Sequence, residues 1–202
     1  MPSIITHAAV PLALWCAADR GRIPGWLLAA GVAAAMLPDA DVLAFALHIP
    51  YADAFGHRGA SHSLLFACLL AALAALFAFF GRRRPWSAYV CQPRLAPTTV
   101  RSTMASTLQA AVFVFICAAS HPLLDAMTSG GLGVALAWPW SEQRFFAPWR
   151  PIRVSPFAPQ FFSARGIATL LSELRWVWLP LAGAVVAWKL IQPAPAAPRD
   201  PS

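Results

Sequence analysis

The chain has 202 residues, 59% hydrophobic and only 11% charged, with a formal net charge of +7. Soluble domains carry roughly 25% charged residues, so this balance excludes an ordinary soluble globular protein and points to an integral membrane protein. The arginines flank apolar segments instead of forming a stripe among polar residues, which argues against nucleic acid as a partner.

Read in chain order, the first apolar stretch runs from Ala8 to Ala18 and ends at Asp19-Arg20-Gly21-Arg22. As a helix it is about 17 Å long, too short to cross a hydrocarbon core of roughly 30 Å. The start of the chain, through Thr6-His7, lacks the basic stretch of a signal peptide. A second stretch, Trp26 to Leu37, stops at Pro38-Asp39, and a short piece from Val42 to Ile49 follows. The clearest span is Ser63 to Phe80, closed by Gly81-Arg82-Arg83-Arg84-Pro85. A polar loop with Arg94, Pro97 and Arg101 leads to the run Leu108–Ala119 and then Ser120-His121.

Residues 130–165, rich in Trp, Phe, Pro and Arg, read as an irregular segment at headgroup level. The last span, Trp176 to Ile191, precedes a Pro/Ala-rich tail, 193–202, expected to be disordered. The expectation is all-α: a membrane-embedded bundle of about four to five helices, some short or interrupted, forming one domain over residues 1–192. The four cysteines form no C-x-x-C pair, so neither a disulfide framework nor a thiolate metal site is indicated.

Four polar clusters interrupt the apolar segments: Thr6-His7, Leu37-Pro38-Asp39-Ala40-Asp41, His57-Arg58-Gly59-Ala60-Ser61-His62-Ser63 and His121-Pro122-Leu123-Leu124-Asp125. Ionisable groups inside membrane segments are costly and usually functional. Imidazole with carboxylate is the ligand set of zinc or a similar divalent ion. Placing Arg20, Arg22, Arg82 to Arg84, Arg94, Arg101 and Lys189 on one side brings all four clusters to the opposite end of an antiparallel bundle. The positive-inside rule puts that end on the periplasmic side of the cytoplasmic membrane, although Arg144, Arg150, Arg153, Arg165 and Arg175 reduce the margin.

Each cluster also has a plainer structural reading. His121 and Asp125, at i and i+4, share a helix face and can hold one cation, or serve as a helix-end pair. Asp39 and Asp41 can both face a cation, or Asp41 can cap the segment that follows. His57 and His62 bracket Gly59, which permits a sharp turn, and Ser61, which can cap the next helix. Arg58 has the planar fork of a phosphate or oxyanion clamp. His7 can be an incidental interfacial residue, and His48, without a close carboxylate, reads as structural.

These four clusters resemble those of the YdjM-type inner-membrane proteins, described as LexA-binding, membrane-bound metal-dependent hydrolases. The segment His57-Arg58-Gly59-Ala60-Ser61-His62-Ser63 is the most specific part of the likeness, which covers about the first two thirds of the chain. The resemblance implies a small helical membrane protein with a divalent-metal site and hydrolase activity. A fainter likeness links His7, Asp39 or Asp41, His57 and the His121/Asp125 pair to the ligand order of zinc-dependent phospholipase C and its nuclease relatives. The second His-x-x-x-Glu pair of their trinuclear site is missing here, so one or two metals are expected.

The expected function is therefore membrane-bound, metal-dependent hydrolysis of a phosphoester or lipid-linked substrate. The metal ligands would be His7, Asp39, Asp41, His57, His62, His121 and Asp125. Zinc is the expected ion, with manganese or magnesium as alternatives. Arg58 would offset negative charge in the transition state, and an unligated Asp41 would act as general base. Two non-catalytic alternatives use the same ligands: a metal- or proton-coupled transporter or sensor, and a scaffold with a structural metal that docks a protein through the basic loop 82–101.

Overall fold

The structure is a computed structural model and describes residues 1–18, 22–81, 100–156 and 160–192. The basic loop and the tail expected from the sequence lie outside these residues, apart from the start of the helix that follows the loop. Seven helices are described: α1 (Ala9–Ala17), α2 (Gly25–Met36), α3 (Leu43–Ala46), α4 (Leu64–Gly81), α5 (Val100–Ala126), α6 (Ala164–Glu173) and α7 (Leu179–Ile191). Between them lie 3-10 turns at Ile4–Ala8, Leu37–Val42 and Ala60–His62, and a π turn at Leu174–Trp178 joins α6 to α7. Four stretches are long and apolar enough to cross a membrane: Gly25–Ala46, Leu64–Gly81, Met104–Ala126 and Ala164–Ile191. The expected all-helical membrane bundle is the observed architecture.

Alanine dominates the interface of α2, α4 and α5, where Ala34, Ala35, Ala67, Ala110, Ala118 and Ala119 are buried with Leu27, Phe113 and Cys117. Lipid tails are as apolar as leucine, so burial of large side chains drives helix association weakly in a bilayer, and small residues that let backbones approach serve better. Gly31 on α2 shows how closely: a Cβ there would lie 2.5 Å from the Phe113 ring of α5. The large residues instead face outward, among them Leu69, Leu73, Leu76 and Phe77 of α4 and Leu179, Val186 and Leu190 of α7.

From the sequence, the irregular segment ends at Arg165 and the last span begins at Trp176, with residues 166–175 assigned to neither. The structure starts that span at Ala164 instead. Its sequence is amphipathic in the inverted sense: Gly166, Thr169 and Glu173 are buried, while Ile167, Leu170 and Leu171 are exposed. A period of three to four with polar residues inward is a membrane helix pattern that mixed composition conceals.

The helices alternate in direction, so α1 leaves the end at which α2 and α5 arrive and from which α4 departs. At the far end, Lys189 Nζ donates to the Ala18 carbonyl at 3.1 Å, and Gln109 reaches the carbonyl of Arg22. The polar clusters gather at the other end.

Candidate metal centre

Each ligand position comes from a tight local turn or a helix end. His7 is on the 3-10 turn that enters α1, and Asp39 is on the turn that Pro38 starts where α2 stops. His62 closes the 3-10 turn before α4. His121 and Asp125 share one face of the last turns of α5, as their i, i+4 spacing predicts. The 57–62 loop is folded tightly. Gly59 brings its backbone so near Ala54 that a Cβ would collide with the Ala54 carbonyl, while Arg58 adopts φ +63°, a left-handed conformation uncommon for a residue with a side chain.

Asp39, His62, His121 and Asp125 are all buried, and each presents one donor atom to a group spanning no more than 4.8 Å. The His121 and His62 Nε2 atoms lie 3.0 Å apart. His62 Nε2 is 3.2 Å from Asp125 Oδ2, and His121 Nε2 is 3.4 Å from Asp39 Oδ1. Four donors at zinc-like bond lengths around one ion are separated by about 3.3 Å, the edge of a tetrahedron with bonds of about 2.0 Å. The closest separations fit; His62 Nε2 to Asp39 Oδ1, at 4.0 Å, is longer. His7 aims Nε2 at the same two carboxylates, 3.6 Å from Asp39 Oδ2 and 3.8 Å from Asp125 Oδ1, with its ring stacked on His121 at 3.7 Å.

The hydrogen bonds around the cluster decide which atoms carry lone pairs. His121 Nδ1 sits 2.7 Å from the Ala35 carbonyl, which can only accept, so this nitrogen carries the proton and Nε2 of the neutral ring is left with a lone pair. His62 Nδ1 faces Asp41 Oδ2 at 3.1 Å and Ser61 Oγ at 3.0 Å, with the same consequence for its Nε2. Two lone pairs at 3.0 Å repel unless a cation or a proton stands between them. Both oxygens of Asp39, both of Asp125 and both His7 nitrogens meet no aligned hydrogen-bond donor among the described residues. Buried acceptors without donors are expensive, and a cation satisfies this donor set.

Charge leads to the same conclusion. Arg58 Nε is 3.0 Å from Asp125 Oδ2, an ion pair that is out of line for a hydrogen bond. With neutral imidazoles, the carboxylates of Asp39, Asp41 and Asp125 against this one guanidinium leave two negative charges, which one divalent ion would offset. Burial pushes the His62 imidazole down, but its contacts with Asp125 and Asp41 push it up more strongly, to about 9, so a proton and a metal ion compete for its Nε2. Burial and the neighbouring His121 hold His7 well below the usual histidine range, keeping that ring neutral.

Two of the seven expected ligands stand beside the cluster. Asp41 Oδ1 is 2.5 Å from His57 Nδ1, and Asp41 Oδ2 takes hydrogen bonds from the Arg58 backbone N–H at 3.0 Å and the Ser61 hydroxyl at 2.7 Å, as well as facing His62. Both of its oxygens meet donors of the 57–62 loop, and the converging group is Asp39, His62, His121 and Asp125. His57 turns toward Asp41 and packs edge-on against the Tyr51 ring at 5.1 Å. Arg58 is buried, and the contacts of its side chain are with the protein. Its guanidinium donates to the Gly130 carbonyl and to Thr128 Oγ1, both at 3.0 Å, while Nε faces Asp125 by charge alone. Gly131, at φ +89°, makes room for it, since a Cβ there would lie 2.7 Å from Arg58 Nη1. His48 is exposed and outside the cluster.

Two residues outside the expected ligand set help to build the site. Arg144 donates to the carbonyls of His57, Tyr51 and Asp53, clamping the loop that carries His57 to His62. Glu173 is buried, and its carboxylate accepts from the Ser3 N–H, the Ser3 hydroxyl at 2.6 Å and the Thr6 hydroxyl at 2.7 Å. It thereby fixes the turn that presents His7. The signal was available, because Glu173 is the one carboxylate in the Ala164–Ile191 span. Hydrogen bonds to a charged acceptor contribute roughly 1.5–3 kcal/mol each, so Glu173→Ala is expected to release residues 3–8 while the helices persist. Hydrogen–deuterium exchange should show faster exchange confined to that segment; unchanged protection there would contradict the role.

The family model described as YdjM inner membrane protein matches residues 1–196. Inner membrane protein YbcI of Escherichia coli (strain K12) is 44% identical over 181 residues, which cover 89% of this chain and 92% of that protein. No solved structure matches.

Proposed function

The chain belongs to the YdjM inner membrane protein family, and on that premise we propose that it is a metal-dependent hydrolase of a phosphoester or lipid-linked substrate. It is a multi-pass protein of the inner membrane, as family, relative and four apolar helices agree. The observation that carries the proposal is the buried group of Asp39, His62, His121 and Asp125, whose carboxylates meet no aligned donor.

In this reading those four residues are the metal ligands and His7 is the fifth. The mixed nitrogen and oxygen set suits zinc best, with manganese next. A divalent ion held there would lower the pKa of a bound water toward about 7 and polarise the substrate oxygen. Asp41 fixes the His62 ring through Nδ1, and the Ala35 carbonyl fixes His121 in the same way. Arg58 holds Asp125 in place and shares its charge, while His57 holds Asp41. The site end of the bundle faces the periplasm.

One observation favours a second reading. All four ligands are buried, and a closed site is the mark of a structural metal, whereas a catalytic one keeps an open position. Purified protein assayed on phosphodiester and short-chain phospholipid substrates separates the two. Turnover that chelator abolishes and zinc or manganese restores supports the hydrolase. Metal-dependent thermal stability without turnover of any of these substrates supports the structural site.

A further inference from the structure

A second polar cavity, of about 250 Å³, lies beside the turn that ends α5. It is lined by Ser129, Arg153, Val154, Arg165 and Thr169, and no carboxylate is among these residues. Ser129 directly follows Thr128, whose hydroxyl receives a hydrogen bond from Arg58 and donates to the Asp125 carbonyl at 2.7 Å. The cavity is therefore built onto the same turn as the metal cluster.

Its walls are fixed, while its two cations are available. The backbone is pinned by Ser129 N–H to the Ile152 carbonyl at 2.9 Å, by Arg153 N–H to Ser172 Oγ at 3.0 Å, and by the Thr169 hydroxyl to the Val154 carbonyl at 3.3 Å. Neither the Arg153 nor the Arg165 guanidinium has an ion-pair partner among the described residues. Arg165 also stands in the first turn of α6, where the helix dipole adds positive potential. Two exposed arginines lining one cavity without an acid have the chemistry of an anion site, and the planar fork of a guanidinium suits phosphate oxygens.

An apolar cavity of about 300 Å³ adjoins this one along the chain. Ile4, Ile5, Pro156, Phe161 and Phe162 line it, so both cavities are framed by the stretch from Arg153 to Pro156 and by the residues that lead into α6. Phosphate-binding side chains beside an apolar slot, at the end of a membrane bundle, match an amphiphile with an anionic head. We propose that Arg153 and Arg165 bind the phosphate headgroup of an anionic membrane phospholipid, with its acyl chain against Ile4, Ile5 and Phe162. This deepens the hydrolase reading by naming its substrate class, and it rests on that reading only for the word substrate.

The test is native mass spectrometry of the full chain in detergent, titrated with short-chain phosphatidylglycerol, short-chain phosphatidylcholine or inorganic phosphate. Turnover is no part of this readout, so its failure is distinguishable from failure of the hydrolase reading. The wild type should retain phosphatidylglycerol in preference to phosphatidylcholine, and Arg153→Gln/Arg165→Gln should weaken that binding at least about tenfold, as expected for loss of charge-assisted phosphate contacts. Arg150→Gln removes a nearby guanidinium that stacks on Phe146 at 4.7 Å, and should leave binding nearly unchanged. Should the double variant fail to fold, Arg153→Lys and Arg165→Lys, which keep the charge and lose the fork, are each expected to weaken binding severalfold. Equal binding by wild type and the glutamine variant, an equal loss in Arg150→Gln, no loss in the lysine variants, or displacement of the lipid by inorganic phosphate at similar concentration would each overturn the proposal.

Discussion

Asp125→Ala is expected to lose bound metal almost completely. Asp125 is the residue on which the site converges: its oxygens lie 3.2 Å from His62, 3.8 Å from His7 and 3.0 Å from Arg58. Losing a residue that merely orients a ligand already costs about 10- to 100-fold in metal affinity, and losing a ligand costs more. The substitution also leaves the Arg58 guanidinium buried without its carboxylate, a loss of roughly 3–5 kcal/mol. Elemental analysis of the purified variant should therefore find metal far below one ion per chain, together with a lower melting temperature. Asp125→Asn keeps the volume and one oxygen, so it should retain more metal than alanine and less than wild type.

Arg58→Met is expected to destabilise the fold more than any surface arginine substitution. Arg58 is fully buried and links three parts of the chain: its backbone N–H bonds Asp41, its side chain bonds Thr128 and Gly130, and its carbonyl accepts from the Ala135 N–H at 3.1 Å. Its removal leaves Asp125 charged in a dry site, with an expected cost of about 3–5 kcal/mol. Saturating metal should recover part of that loss, because the ion offsets the same carboxylate. The double variant Arg58→Met/Asp125→Asn should be less damaged than the sum of its singles, since neither charge is then stranded. Unfolding in a graded denaturing detergent measures all four proteins of this cycle. Additive losses would mean that Arg58 acts through loop packing and not through Asp125.

The sequence made the candidate metal site legible for a physical reason. A bilayer penalises ionisable groups, so His7, Asp39, Asp41, His57, His62, His121 and Asp125 all stand out against apolar neighbours, and alternating helix directions place them at one end. What it hid was orientation. Asp39 and Asp41 are two residues apart on one 3-10 turn, yet the first aims into the cluster and the second faces four donors of the 57–62 loop. Spacing cannot separate such a pair, because the choice is made by Ser61 and the Arg58 backbone, which tertiary folding brings in. Arg58 is a similar case: a guanidinium in a polar motif fits a substrate phosphate as well as Asp125, and its burial against Thr128 and Gly130 is tertiary information.

α6 was obscured differently. Its exposed face is apolar and its buried face polar, so a search for an inward apolar stripe passes over most of it and begins the span only at Trp176. The same inversion concealed Glu173, whose partners Ser3 and Thr6 lie some 170 positions earlier.

Metal content of the purified wild-type protein, compared with a His62→Ala/His121→Ala variant of matched secondary structure, tests the metal centre most directly. One tightly held zinc or manganese ion per chain in the wild type, absent from the variant, is expected. A wild type that stays free of metal when supplied with either ion, or a variant that holds as much, would contradict it.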